Sequence, residues 1–218
     1  MNFIKDDRWH YIADGLKVTL IVTFCAVLIG VVLGFLLAIV RSTYDKTGKL
    51  KLLNLICQIY ITVIRGTPVV VQLLIIYFVI FASVDVSKTI VAILAFGMNS
   101  SAYVAEIFRS GIQGIPVGQR EAAKVLGYNR VQTFFKVIFP QMIKQVLPPV
   151  TNEIITLVKD TSLAFVLVYV EIFTIAKQVA AAQTTIVPLF VAGAFYYIFN
   201  LLVAGIMGKV EKKMSYYQ

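Results

Sequence analysis

Asn152, Glu153, Thr156, Lys159 and Asp160 fall within an arc of about 120° when set at ~100° per residue on a helix, and Thr161 and Ser162 follow directly. Three ionisable groups within eight residues of an otherwise apolar segment are costly at membrane depth unless they pair or face water. The chemistry open to them is reversible capture of a zwitterion. A Lys159 ammonium attracts a carboxylate, Glu153 and Asp160 attract an ammonium, and the Thr161 and Ser162 hydroxyls complete hydrogen bonds where the helix breaks. The alternatives are a salt bridge that only holds helices together, or a charged cap at the outer interface. Upstream, Asn99, Tyr103, Glu106 and Ser110 recur at spacings of four, three and four, so they share one helix face that avoids lipid.

The elements that position these residues are membrane helices. Of 218 residues 59% are hydrophobic and 14% charged, with a mean hydropathy of +0.85, far from the composition of a soluble domain. Val18 to Val40 holds 23 residues without a charge, Gly66 to Val84 holds 19 and Gln178 to Gly208 holds 31. A helix needs roughly 20 to cross a bilayer. The N-terminal MNFIKDDRWHYIADG is polar and amphipathic, so the first apolar run is expected to stay as an anchor rather than be cleaved. From Leu52 to Ala82 the second segment is overlong for one straight span and contains Arg65-Gly66-Thr67-Pro68, which predicts a kink there. Arg65 then either faces an inner cavity or snorkels to the cytoplasmic interface. Leu163 to Ala182 reads as a short re-entrant or outer helix on which Glu171 and Lys177 meet solvent. Gly30 and Gly34, spaced as GxxxG, permit close helix packing.

Orientation follows from the cations. Arg41, Lys46, Lys49 and Lys51, then Arg109, Arg120, Lys124, Arg130, Lys136 and Lys144, then Lys209, Lys212 and Lys213 mark three cytoplasmic stretches. The N-terminal segment balances Lys5, Arg8 and Lys17 against Asp6, Asp7 and Asp14. The expected fold is an all-α membrane protein of five transmembrane helices, N-terminus outside, formed as one domain over residues 1–218.

A charged island, QREAAKVLGYNRVQTFFKVIFP from Gln119 to Pro140, interrupts this chain and must sit in water. Pro116 suits a first helical position, Glu121-Ala122-Ala123 is a strong helix former, and Gly127 supplies a left-handed stop. The small Ala122-Ala123 face, ringed by Arg120, Lys124 and Arg130, fits an acidic groove of another protein.

Several classes are excluded or weakened. Nucleic-acid binding is disfavoured because the net charge of +9 is mostly a topology signal with no soluble domain to carry it. A metal centre is disfavoured by a single histidine, His10, while Cys25 and Cys57 read as small core residues. No Ser/His or Cys/His pair presents a nucleophile with a base, and no GxxxxGK[ST] phosphate loop is present, so the chain is not expected to be an enzyme or an ATPase. A secondary transporter or channel could use the same intramembrane charges without an ATPase. Under any transport reading the chain is too small to enclose a path alone, so a dimer is required.

The run EAAKVLGYNRVQTFFKVIFPQ, preceded by AYVAEIFRSGIQGIPVGQR, resembles the EAA loop, about residues 113–140, of the membrane subunits of bacterial ATP-binding-cassette importers. RGTPVVVQ and LPPVTNEIITLVKDTSLAFV resemble signatures of the polar amino-acid branch, and the likeness extends from about Gly15 to Val210. One departure is the aliphatic Ile154-Ile155 after Asn152-Glu153, where an aromatic is common at the first position. The resemblance implies a type I importer transmembrane domain in the bacterial cytoplasmic (inner) membrane. It implies a coupling helix around Ile115, Pro116, Glu121, Ala122, Ala123 and Gly127 that docks on the ATPase. It also implies substrate contacts at Asn99, Glu153, Lys159, Asp160, Thr161 and Ser162. The partners implied are two copies of an ATPase subunit, a second permease subunit (a copy or a relative), an extracytoplasmic amino-acid-binding protein, a polar amino acid and membrane lipid. ATP and magnesium would be bound by the ATPase, leaving no cofactor in this chain.

Overall fold

A computed structural model describes residues 9–214, and every regular element among them is helical. The charges at Lys5, Asp6, Asp7 and Arg8, which enter the orientation argument, lie outside the described residues. Helix α1 runs Trp9–Thr47 and α2 runs Lys51–Gly66. After an extended Thr67-Pro68, α3 runs Val69–Ile75 and continues as a π-helical turn, Ile76–Ile80. The helix is interrupted at the tetrapeptide where a kink was expected, because Pro68 lacks the amide the next turn would need. Its angle is far larger than a kink. The two arms meet at 110°, so this stretch is a broken span or a re-entrant loop rather than a bent rod.

Helix α4 is Lys88–Gln113, opened by Ser87, whose side chain accepts from the Ile90 amide. Helix α5 is Val117–Val125. Helix α6, Arg130–Thr133, begins in a capping box between Asn129 and Gln132 and passes through a π-helical stretch, Phe134–Ile138, into α7, Phe139–Asp160. A 3₁₀ helix, Thr161–Leu167, extends α7, and α8, Ile172–Gln183, leaves it at 54°. Helix α9 is Val187–Met214. Among the described residues, three helices are able by length and composition to cross a membrane, or up to five if each bent pair counts as one span.

The interior is organised around α1 and α4, the most extensively packed pair. Small residues make the approach possible. A Cβ placed on Gly30 would lie 2.8 Å from Ser100 Oγ, and one on Gly34 would lie 2.8 Å from Val104 Cβ and 2.9 Å from the Ser101 carbonyl. The GxxxG pair therefore has a partner within its own chain. Val22, Ala26, Leu73, Val91, Ala95 and Phe96 fill one core region, and Ala38, Val104, Phe108, Met142 and Val146 a second. Helix α9 is apolar and almost entirely uncovered, which leaves it to face lipid or another subunit.

Candidate functional site

The polar face of α4 meets Glu153, alone of the α7 polar stripe, across one cavity, which Asn152, Thr156, Lys159 and Asp160 do not line. Tyr103, Glu106 and Ser110 line it from α4, Gln145, Pro149 and Glu153 from α7, and Arg65 from the end of α2, enclosing about 480 Å³. Ser100, one turn before Tyr103, stands beside the Glu153 carboxylate. A neighbouring cavity of about 520 Å³ shares Arg65, Tyr103 and Glu106 and adds Arg41, Gln58 and Thr62.

The charges in this region differ in how fully they are engaged. Arg109 donates from Nη2 and Nε to Glu106 Oε2 at 2.9 and 3.1 Å, and from Nη1 to Asp45 Oδ2 at 3.2 Å. Gln113 Nε2 donates to the same Asp45 oxygen at 3.0 Å, and Arg41 lies 4.0 Å from Glu106 Oε1. That network ties the ends of α1 and α4 and neutralises Glu106. Arg65 makes a different contact, its guanidinium carbon 5.3 Å from the centroid of the Tyr103 ring. Of the two expectations for Arg65, the cavity-facing one fits this placement.

Further along α7, Lys159 is exposed and Asp160 half-buried, where the α-helix tightens into 3₁₀. Among the described residues no ion pair within 4.0 Å joins Lys159 to Glu153 or Asp160. A salt bridge that merely fastens helices is therefore not what this cluster forms. The hydroxyls of Thr161 and Ser162 fold back on the helix, donating to the Val158 and Lys159 carbonyls at 2.6 and 2.7 Å. Asn99 also differs from expectation in its surroundings. It is buried, and its amide donates to Gln72 Oε1 at 3.0 Å instead of opening into the cavity. Gln72 in turn donates to the Ile64 and Thr67 carbonyls at 2.7 and 3.0 Å. Sequence reasoning passed over Gln72 and Ser100. The signal for Gln72 was its position a few residues beyond the Pro68 break, where freed carbonyls require a donor.

Glu171 is a correction. Read as solvent-facing, it is only 1% exposed, and its carboxylate caps α8 by accepting from the Phe173 and Thr174 amides at 2.8 and 2.6 Å. The Thr174 hydroxyl donates to it at 2.8 Å and the Tyr196 hydroxyl of α9 at 3.0 Å. A carboxylate with this many donors is stable inside. Lys177 is exposed as expected, its ammonium 4.5 Å from the Phe165 ring centroid.

The charged island folds as α5 with its ends fixed. Pro116 is extended and occupies the N-cap rather than the first helical position, and Ile115 before it is buried. Gly127 has φ +81°, and the Gly127 and Tyr128 amides donate to the Lys124 and Ala123 carbonyls, both at 3.0 Å. This is the left-handed stop the sequence called for. The small face, however, is divided. Glu121 and Ala122 are exposed, while Ala123 is 2% exposed and turned into the chain's own packing. Arg120 is likewise drawn in: Nη2 donates to the Ile112 carbonyl at 2.8 Å, and burial pulls its pKa below the ordinary value. The exposed surface instead carries Val117, Val125 and Leu126, of which Val125 is 87% exposed.

Comparison with known proteins gives one consistent likeness. A family profile described as binding-protein-dependent transport system inner membrane component matches residues 30–216. The L-cystine transport system permease protein TcyB of Bacillus subtilis is 31% identical over 99% of this chain and 92% of its own length. The octopine transport system permease protein OccM of Rhizobium radiobacter is 37% identical over 91% of this chain and 83% of its own length. Among solved structures, an amino acid ABC transporter with histidines superposes with a TM-score of 0.85 at 32% identity, covering 98% of this chain and 99% of that one. The MetNI methionine ABC transporter, at 18% identity and a TM-score of 0.81 over 95% and 98%, shares the fold.

Proposed function

Because the chain belongs to the family of binding-protein-dependent transport system inner membrane components, we propose that it is the permease subunit of an ATP-binding-cassette importer in the bacterial inner membrane, carrying a polar amino acid between α4 and α7. The observation that carries this reading is the cavity in which the polar face of α4 meets Glu153 of α7, on a chain whose α5 presents exposed apolar residues at one end. Glu153, Lys159 and Asp160 supply charges of both signs for a zwitterion, with Asn99, Thr161 and Ser162 shaping the surrounding backbone.

Five spans with the N-terminus outside accommodate this arrangement as one permease domain. Three are continuous helices, and the two bent pairs supply the others. Cations gather beyond α1, around α5 and at the end of α9, which supports a cytoplasmic position for those regions by the positive-inside rule. Helix α5 then docks in a cleft of a separate ATPase, of which two copies bind ATP and magnesium. Val125 and Leu126 provide apolar contact there, and Glu121 and Ala122 lie beside them. Closure of the ATPase pair moves α5 as a lever and rocks this chain against a second permease subunit. The uncovered apolar faces of α1 and α9 suit lipid and that subunit. An extracytoplasmic binding protein delivers the amino acid, and this chain itself makes and breaks no bond.

The test is reconstitution of the chain with its co-encoded ATPase and binding protein, followed by ATP-dependent uptake across a panel of radiolabelled amino acids. Uptake of one polar class is expected. Failure to associate with any ATPase refutes the importer reading in favour of a channel or secondary transporter.

A further inference from the structure

Arg65 closes the end of α2, one residue before Gly66 and the extended Thr67-Pro68, so its direction depends on how that interruption is held. A break in a membrane helix frees carbonyls that cannot remain unpaired in lipid. Gln72 answers two of them, with Nε2 2.7 Å from the Ile64 carbonyl and 3.0 Å from the Thr67 carbonyl, one on each side of Arg65 and Gly66. The same nitrogen lies 2.8 Å from Thr67 Oγ1. The remaining oxygen of the Gln72 amide is engaged by Asn99 Nδ2 at 3.0 Å, which fastens the break to α4. One turn along α4, Tyr103 presents the ring that receives the Arg65 guanidinium. Gln72, held by Asn99, thus fixes the backbone on either side of Arg65, while Tyr103 receives its guanidinium.

The cation so held borders both cavities. The nearest acid on the α4 side, Glu106, is already engaged by Arg109 and Arg41. Among the described residues no carboxylate lies within 4.0 Å of Arg65. Glu153 lines the same cavity from α7. One wall therefore offers a carboxylate and another an unneutralised guanidinium able to take a carboxylate through two parallel hydrogen bonds. Resting on the amino-acid importer reading, we infer that Arg65 is the anchor for the α-carboxylate of the transported amino acid, and that Gln72 and Asn99 are positioning residues that aim it. Since every amino acid carries an α-carboxylate, Arg65 sets the class of substrate and leaves side-chain choice to Glu153, Lys159 and Asp160. Asn99 then acts on transport through Gln72 and Arg65 instead of by touching the ligand.

The experiment is equilibrium binding to the purified permease–ATPase complex, without the binding protein, of the transported amino acid and of the amine that lacks its carboxylate. Wild type is expected to prefer the amino acid. Arg65→Gln is expected to weaken amino-acid binding by roughly ten- to a hundredfold, the scale of a hydrogen-bonded charge contact, while amine binding is unchanged. Arg65→Lys is expected to retain part of the preference. Gln72→Leu and Asn99→Ala are expected to reproduce the carboxylate-specific loss and to add little to Arg65→Gln, as members of one unit do. Wild-type affinity in Arg65→Gln, or an equal loss of amino acid and amine, overturns the anchor. Additivity of Gln72→Leu with Arg65→Gln overturns the positioning role. A wild-type complex that binds and transports no amino acid rejects the importer reading itself.

Discussion

Replacing Gly127 by valine isolates the role of the α5 stop. At φ +81° a glycine has no steric penalty, whereas an L side chain costs about 1–2 kcal/mol there and a β-branched one stands at the upper end. Nothing lies within 4 Å of a Cβ at this position, so the penalty is purely conformational. The chain relieves it by unwinding Leu126 to Tyr128, releasing the Ala123 and Lys124 carbonyls to solvent. Unfolding of the whole subunit is not required, and the melting temperature of the permease should stay near that of wild type. What falls is the fraction of molecules presenting a properly ended α5. A bias of 1–2 kcal/mol shifts the equilibrium between capped and unwound ends by a factor of about 5–30, and the apparent affinity for an ATPase that recognises only the capped helix falls by up to that factor. The assay is ATPase titration onto the detergent-purified permease, paired with amino-acid-stimulated ATP hydrolysis in vesicles. Asparagine, which tolerates the left-handed region, should retain most of both. If valine binds and couples as glycine does, α5 does not dock through its C-terminal turn and the reasoning fails.

Other substitutions probe the remaining parts. Gly34→Val places atoms where a bare Cβ already comes within 2.8 Å of Val104 and 2.9 Å of the Ser101 carbonyl, so overpacking should cost about 1–3 kcal/mol and lower the melting temperature; an unchanged transition would contradict the close seam between α1 and α4. Glu171→Ala removes the α8 cap and one partner of the Tyr196 hydroxyl, which keeps Thr161 and Thr19 beside it, together about 1–3 kcal/mol, with Glu171→Gln milder; equal stability of alanine and wild type would show that the network is dispensable. Glu153→Gln and Asp160→Asn should abolish or redirect amino-acid uptake while the ATPase still co-purifies, and wild-type uptake in both would return these carboxylates to a structural role.

Local chemistry was legible in the sequence wherever a residue's own covalent structure decides its conformation. Gly127 ends α5 because only glycine takes that φ without strain, and the chain breaks at Pro68 because an amide is missing. The face shared by Tyr103, Glu106 and Ser110 follows from the helical repeat alone. Contacts between distant segments were not legible. Asn99 and Gln72 are 27 residues apart, and no periodicity in either segment announces that one amide grips the other. Ala122 and Ala123 illustrate the same limit in a short helix. Two adjacent small residues permit close approach, but whether the approaching surface belongs to a partner or to the chain's own π-helical stretch depends on where that stretch returns.

Polar groups in an apolar chain pose the harder question, since burial alone does not separate structure from function. Glu171 and Glu153 are both acids beside apolar helices, yet they end differently. The first accepts hydrogen bonds from two backbone amides and two hydroxyls, so nothing is left for a ligand to satisfy. The second borders a cavity with Ser100 at its side, facing a cation whose own contact is an aromatic ring. Desolvating either charge is costly, and among the described residues Glu153 and Arg65 line a shared cavity with no ion-pair partner within 4.0 Å. By that criterion Glu171 belongs to the scaffold, and the space between Arg65 and Glu153 is where we propose that the transported molecule sits.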